Sequence, residues 1–317
     1  MTLGVVAPTD AFETRRRHFP DEINFHAPGL KRYRTSEFVQ HNPRAWLPIS
    51  LTGDACALQC DHCATKVLQP MIALQPRQNV FEVCRDLQAG GTKGVLISGG
   101  SDRRGQVPLL KHVEHIRRIK DELGMKVICH TGLVSEETAA GLAWAAVDGA
   151  MIDIIGADAT IRDVYHLDAS VADFERSLER LTRQRLMVLP HIVMGLHYGT
   201  FLGEHNALDI IGRYPVSALI LVVLTPVIGT AMQGLTPPSE AECSAFFRSA
   251  RLAMPTTPVM LGCARPLGQL KVALDRAAVD NGLNGIAYPA EGIVEYAVER
   301  GLKPKFYEYC CSLTWGI

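Results

Sequence analysis

The 317-residue sequence contains no apolar run long enough to cross a bilayer. Its longest, ALILVVL at residues 218–224, is far short of the roughly 20 residues a membrane helix needs and reads as a buried strand. No apolar segment of the signal-peptide kind stands near the start. An excess of either charge is also missing, with 32 Lys and Arg against 33 Asp and Glu. That balance argues against a general binder of nucleic acid or membrane surfaces. The short run Arg15-Arg16-Arg17-His18 reads as a solvated tail. Internal repeats and low-complexity linkers are absent as well. A cytoplasmic protein is expected, with no nucleic-acid and no membrane partner.

What is present is a large apolar fraction, 47%, and nine cysteines. In a chain without secretory features, cysteines are metal ligands or core thiols before they are disulfides. Two belong to the core by helical spacing. Cys84 shares a face with Val80 and Leu87; Cys243 lines up with Phe246, Phe247 and Ala250 behind a capping box, Ser239 to Glu242.

Short apolar runs alternate with amphipathic helical stretches. Strands are expected at 47–51, 94–98, 126–130, 150–155, 187–194, 218–224, 258–262 and 285–287. Between them, Leu109, Val113, Ile116, Ile119 and Leu123 form one apolar helix face, and Ser135 and Ser239 look like N-caps. The order and size fit an α/β fold of the (β/α)8 TIM-barrel type over residues 47–303. Residues 1–46, broken by Pro20, Pro28 and Pro43, are expected as an N-terminal extension, and 304–317 as a C-terminal tail.

In such barrels, site residues gather where strands end. Here those ends carry a cysteine loop at 56–63, Ser98-Gly99-Gly100-Ser101, Cys129-His130, Asp153, His191 with Ile192 through Gly195, and Cys263 with Arg265. Two adjacent glycines permit close backbone approach. The loop CALQCDHC places Cys56, Cys60 and Cys63 at spacings of four and three. A zinc clip normally closes with four ligands. His62 is one candidate fourth, although it adjoins Cys63. Iron–sulfur cubanes are held by cysteine thiolates, usually four. Three would leave one iron open. A metal clip, core thiols and such a cluster all fit the spacing alone.

With this loop after the first barrel strand, the sequence resembles the radical SAM superfamily. Its CxxxCxxC signature is matched by Cys56, Cys60 and Cys63, and His62 fills the usually aromatic position before the last cysteine. The resemblance implies a radical SAM (β/α)8 barrel and a 4Fe-4S cluster whose open iron binds S-adenosyl-L-methionine. Reduction then cleaves that cofactor to a radical that removes hydrogen from an unactivated carbon. It further implies cofactor contacts from Ser98, Gly99, Gly100, Ser101, Ile192 and Gly195, and places His62, His130, Asp153 and His191 around the cofactor. No side-chain catalyst beyond the cofactors is expected.

A second set of cysteines narrows the reaction. Cys263 tops a strand and Cys310-Cys311 lie in the tail. A vicinal disulfide is disfavoured, because adjacent α-carbons are about 3.8 Å apart where disulfides want about 4.4 Å or more. The fourteen residues of the tail, roughly 45 Å if extended, suffice to fold over the barrel mouth. Cys263, Cys310 and Cys311 are therefore expected to hold an auxiliary iron–sulfur cluster, with Cys129, Ser312 or Arg265 as the fourth ligand. Auxiliary clusters belong to the sulfur-inserting branch. The chain resembles biotin synthases in its full strand complement and in HIVMGLHYG at 191–199; HAPG at 26–29, RYRTSEF at 32–38 and SGGSD at 98–102 resemble the two-protein lipoyl synthases. The implied activity is sulfur insertion into the octanoyl chain of a lipoyl carrier domain. The implied partners are a companion radical SAM lipoyl synthase protein and a ferredoxin or flavodoxin as electron donor. A biotin-synthase-like or carbon-skeleton-rearranging enzyme, and a non-catalytic metal-binding protein, are the alternatives.

Overall fold

The computed structural model describes residues 9–29 and 31–313. Eleven strands form one all-parallel sheet: β1 (Glu22–His26), β2 (Trp46–Ser50), β3 (Ile72–Ala73), β4 (Gly94–Ser98), β5 (Lys126–His130), β6 (Gly149–Asp153), β7 (Val188–Met194), β8 (Leu219–Val223), β9 (Val259–Leu261), β10 (Gly285–Ala287) and β11 (Lys303–Tyr307). The helices are α1 (Asp10–His18), α2 (Val80–Ala89), α3 (Val113–Arg118), α4 (Glu136–Trp144), α5 (Asp158–Tyr165), α6 (Val171–Arg183), α7 (Glu204–Ile211), α8 (Glu240–Ala253), α9 (Gln269–Asp280) and α10 (Ile293–Glu299). No described helix is long and apolar enough to cross a membrane.

All eight expected strands are present as β2 and β4 to β10, several with the expected bounds. They read clearly because parallel strands covered by helices are apolar on both faces; every residue of β8 is buried. Helix starts are set by side chains. Asn79, Ser170 and Ser239 cap α2, α6 and α8, each closing a capping box with the acid three residues on. Ser135 caps α4 through the Thr138 N–H. Cys84 and Cys243 are wholly buried on the apolar faces of α2 and α8.

The expected α/β fold of the TIM-barrel type is present, and the strand order β11-β1-β10-β9-β8-β7-β6-β5-β4-β2-β3 gives its form, a curled half-barrel with free ends at β11 and β3. The stretch before residue 47 is more than an extension: β1 lies between β10 and β11, in parallel register with both. The chain after residue 303 continues the sheet as β11. It then makes a short 3-10 turn at Cys311–Leu313 that touches β1, β6 and β10, and so lies across the inside of the curl.

Buried polar contacts hold this seam. Arg265 and Asp275 form an ion pair at 2.6 and 3.1 Å with both side chains shielded from solvent. Asp275 also accepts the Ala290 N–H at 2.7 Å, while Arg265 donates to the carbonyls of Gly262 and Tyr288.

Candidate active site

The cysteine loop leaves β2 and is pinned on both sides. Ala57 N–H donates to the Ser101 carbonyl at 2.8 Å, and Ser101 N–H donates to Cys56 Sγ at 3.3 Å. Asp61 N–H donates to the Val164 carbonyl at 2.9 Å. Left-handed backbone at Gln59, Ala64 and Thr65 turns the loop back on itself. This tight turn brings the ligand atoms of Cys60, His62 and Cys63 within 4.8 Å of one another, so His62 does face its neighbouring thiols. Its Nδ1 is buried without a hydrogen-bond partner, and its ring lies 5.2 Å from that of Tyr165. Of the two inner thiols, Cys63 is the one that ionises. A hydrogen bond from Cys60 and the neighbouring His62 lower its pKa to about 4 against the opposing cost of burial; the Cys60 thiol is correspondingly held up.

A cavity of about 310 Å³ opens above this loop. Its walls include the three cysteines, His62, the four residues of the Ser98–Gly99–Gly100–Ser101 turn, His130, Asp153 and Tyr165. Both glycines line this cavity, and Gly100 has a second use. A Cβ on Gly100 would lie 2.0 Å from the Ala55 carbonyl oxygen and 2.6 Å from Cys56 Cβ. The close approach at Gly100 is thus to the cysteine loop, with Thr52 Oγ1 accepting the Gly100 N–H at 2.7 Å. Ser98 donates to the His130 carbonyl at 3.1 Å and ties the turn to β5.

On the far wall, His130 Nε2 stands 3.5 Å from Asp153 Oδ1, and the His130 ring is 5.6 Å from that of His191. Burial lowers the His130 pKa, but the Asp153 charge and hydrogen bond outweigh it and leave it raised. Burial likewise raises Asp153, and His130 reverses this, bringing it down to about 2. His191 is lowered to about 4 by burial and by the charge of His130; its Nδ1 lies 3.0 Å from the Leu189 carbonyl.

The tail cysteines lie near Cys263, although among the described residues their sulfurs do not gather with it as closely as the ligand atoms of Cys60, His62 and Cys63 do. Cys310 interacts electrostatically with both Cys263 and His130, and Cys311 with both Cys310 and Cys263. A hydrogen bond from Cys311 brings Cys310 down to about 7 against the cost of burial, and holds Cys311 up. Ser312 Oγ beside them is buried and lacks a well-formed hydrogen bond.

Other expected residues lie elsewhere. Cys129 sits in the hydrophobic core, because adjacent strand residues face opposite ways and His130 takes the inside. Arg265 is saturated by Asp275 and two carbonyls, which removes it as a ligand. Ile192 and Gly195 do not line the cavity at the cysteine loop. Ile192 borders a narrow crevice beside Ile154 and Glu204, and Gly195, with φ +73°, donates its N–H to Glu204 Oε1 at 2.8 Å. From this segment it is Val193 and Leu196 that pack in the same apolar cluster as Cys60.

Three features carried no assigned role in the sequence: Thr52, Tyr165 and the Asp61 latch. Asp61 accepts from Tyr198 Oη at 2.7 Å and lies 2.9 Å from His166 Nε2, joining the cysteine loop to the ends of α5 and β7. The position of Asp61 inside the cysteine motif was the one local signal for it.

Residues 50–201 match the family model described as Radical SAM superfamily. Among curated proteins, a biotin synthase of Geotalea daltonii is 24% identical over 224 residues, covering 67% of this chain and 66% of that protein. Biotin synthase 2 of Corynebacterium diphtheriae is 25% identical over 233 residues, covering 69% and 67%. The chain thus spans about two thirds of the length of these relatives. The crystal structure of methylornithine synthase superposes with a TM-score of 0.62 at 14% identity over 93% of this chain and 87% of that one. An FeFe-hydrogenase maturase from Carboxydothermus hydrogenoformans gives 0.60 at 13% over 93% and 70%. At these identities the structures speak for the fold alone.

Proposed function

We propose, from the premise that residues 50–201 form a radical SAM superfamily domain, that this chain is a sulfur-inserting enzyme acting on an octanoyl chain carried by a lipoyl carrier domain. The observation that carries the reading is the second thiol group: Cys310 lies within electrostatic reach of His130, and Cys263 and Cys311 lie within reach of Cys310. The first group fits a cluster by its donors. The three thiols line one cavity, the ligand atoms of Cys60, His62 and Cys63 lie within 4.8 Å of one another, Cys63 favours the thiolate, and His62 Nδ1 is buried without a partner. Cys56, Cys60 and Cys63 would hold the 4Fe-4S cluster, and Ser98 to Ser101 would border S-adenosyl-L-methionine.

When bound, that pair supplies the radical that removes hydrogen from an unactivated carbon. The protein's own contribution is placement and exclusion of water. Leu58, Leu167 and Phe174 wall the cavity with apolar surface. Tyr165, its pKa pushed well up by burial, keeps its proton. His130 and Asp153 present a paired charge between the two thiol groups. Cys263, Cys310 and Cys311, with Ser312 Oγ unengaged beside them, would hold the auxiliary cluster that serves as sulfur source. A companion radical SAM protein would make the other insertion, and a ferredoxin or flavodoxin would deliver electrons.

Similarity to biotin synthases supports sulfur insertion without selecting the acceptor. A carbon-skeleton-rearranging reaction needs only the first cluster. Anaerobic incubation of reconstituted protein with octanoylated carrier peptide, with dethiobiotin, or with neither, followed by mass spectrometry, separates these. Thiolated octanoyl peptide supports the proposal. Nucleoside product without any sulfur gain in either substrate overturns it. Tetrahedral zinc and no nucleoside product would make the chain a metal-binding protein only.

A further inference from the structure

Arg15, read from the sequence as part of a solvated tail, is completely buried, as is Arg251. The two guanidiniums feel each other: Arg251 is brought down to about 9 by burial and by the Arg15 charge. Arg15 Nη2 donates to the Glu22 carbonyl, but Nε and Nη1 have no hydrogen-bond partner. Arg251 Nε and Asn284 Nδ2 are buried and unpartnered too. The carboxylates at hand offset this charge only in part. Asp21 is 4.0 Å from Arg15 Nη1 and half-exposed, and Glu22 is paired with Lys305 at 2.7 Å.

Beside these groups lies a cavity of about 190 Å³ where β1 and β11 run side by side, lined by Arg15, Asn24, Asn284, Lys305 and Tyr307 among others. It shares no lining residue with the cavity at the cysteine loop. Water would satisfy the N–H groups but leave the buried Arg15 charge, with that of Arg251 behind it, only partly offset, a state proteins avoid. An anion answers both needs. Its shape follows from the donors left over. Nη2 has one of its two N–H groups on the Glu22 carbonyl, and the unpartnered Nε and Nη1 lie on different edges of the guanidinium. Diverging donors from α1, from the lead-in to β10 and from β11 suit a ligand with acceptors on several sides, unlike a planar carboxylate.

We infer that this cavity is a binding site for a tetrahedral oxyanion of the phosphate class, which clamps α1 and β11 onto β1. The site is independent of iron and of the proposed sulfur chemistry. The test is thermal unfolding of the full chain during titration with inorganic phosphate, against chloride at matched ionic strength so that screening is common to both. Glycerol phosphate in a parallel titration tells a free anion from a phosphomonoester. A saturable, phosphate-specific rise in Tm is expected, and it should vanish in Arg15→Met. Because a core arginine can be needed for folding, Lys305→Gln, at a half-exposed position, is the second variant. It should weaken phosphate binding about tenfold, the worth of one charge-assisted hydrogen bond. Equal melting in phosphate and chloride, or an undiminished response in Lys305→Gln, would overturn the assignment.

Discussion

Replacing Gly100 by alanine adds one methyl group, and the structure says what it meets. The new Cβ would stand 2.0 Å from Ala55 O, 2.6 Å from Cys56 Cβ and 2.7 Å from Cys56 Cα. None of these is the far end of a flexible side chain. Gly100 is not among the positive-φ residues, so the backbone itself accepts alanine and the penalty is contact alone. Relief requires the two loops to part by about 1 Å, since real contacts essentially never fall under 3.0 Å. Overpacking of this kind costs about 1–3 kcal/mol. Parting the loops also stretches the Ser101 N–H bond to Cys56 Sγ and the Ala57 N–H bond to Ser101, at about 1 kcal/mol each. The loss falls on the geometry of Cys56 relative to Cys60 and Cys63 and not on the distant core. Gly100→Ala should therefore unfold only a few degrees early yet bind markedly less iron after anaerobic reconstitution, with 5′-deoxyadenosine formation falling in step. Gly99→Ala is the comparison: its nearest contact is Thr52 Oγ1 at 3.1 Å, and its effect should be smaller. Native iron content and native nucleoside yield in Gly100→Ala would refute the reasoning, because the loop would then have given way without moving Cys56.

Cys60→Ala should abolish S-adenosyl-L-methionine cleavage while circular dichroism stays native, since a cubane left with two thiolates has an under-coordinated iron. Removing Cys263, Cys310 and Cys311 together should leave about four irons instead of about eight, keep nucleoside formation and end sulfur insertion; full iron retention would remove the second cluster. Asp275→Ala strands the Arg265 charge in the core, and a chemical denaturation curve should show about 3–5 kcal/mol of lost stability. Asp153→Asn tests the paired wall through pH. The raised His130 pKa gives stability that is full below the ordinary histidine value and fades as pH climbs through the folded value. The Asp153 pKa of about 2 gives stability present above the ordinary carboxylate value and lost as pH falls toward 2. The Tm difference between native and variant apoprotein should thus peak in the mildly acidic range and shrink on either side; a pH-independent difference would separate the two groups.

The strands that a reader can find in this sequence are those that need no partner to be recognised. β4, β5 and β10 fall where apolar runs between turns place them, because a buried parallel strand is apolar on both faces. Capping boxes mark α2, α6 and α8 just as locally. β1 and β11 carry no such mark. The sequence EINFH is short and mixed, and KPKFY holds a proline and two lysines; each becomes a strand only because β10 brings β1 in and β1 in turn accepts β11, some 280 residues along the chain. That pairing leaves the half-barrel open and carries the tail inward.

The site divides in the same way. Spacing alone marks Cys56, Cys60 and Cys63, since all three lie within one loop. Strand parity is enough to set His130 inside and Cys129 outside, because the alternation of side chains along one strand is a local property. Contacts between remote segments have no such local mark: Gly100 against Cys56, Asp61 against Tyr198 and His166, Cys310 beside Cys263 and His130. Nor has the burial of Arg15, where four consecutive charged or titratable residues suggest solvent and only the packing of α1 against α8 and α9 takes one of them out of it. Local chemistry is written in neighbouring residues; what faces what across the curl is decided by which strands pair, and pairing is a property of the whole sheet.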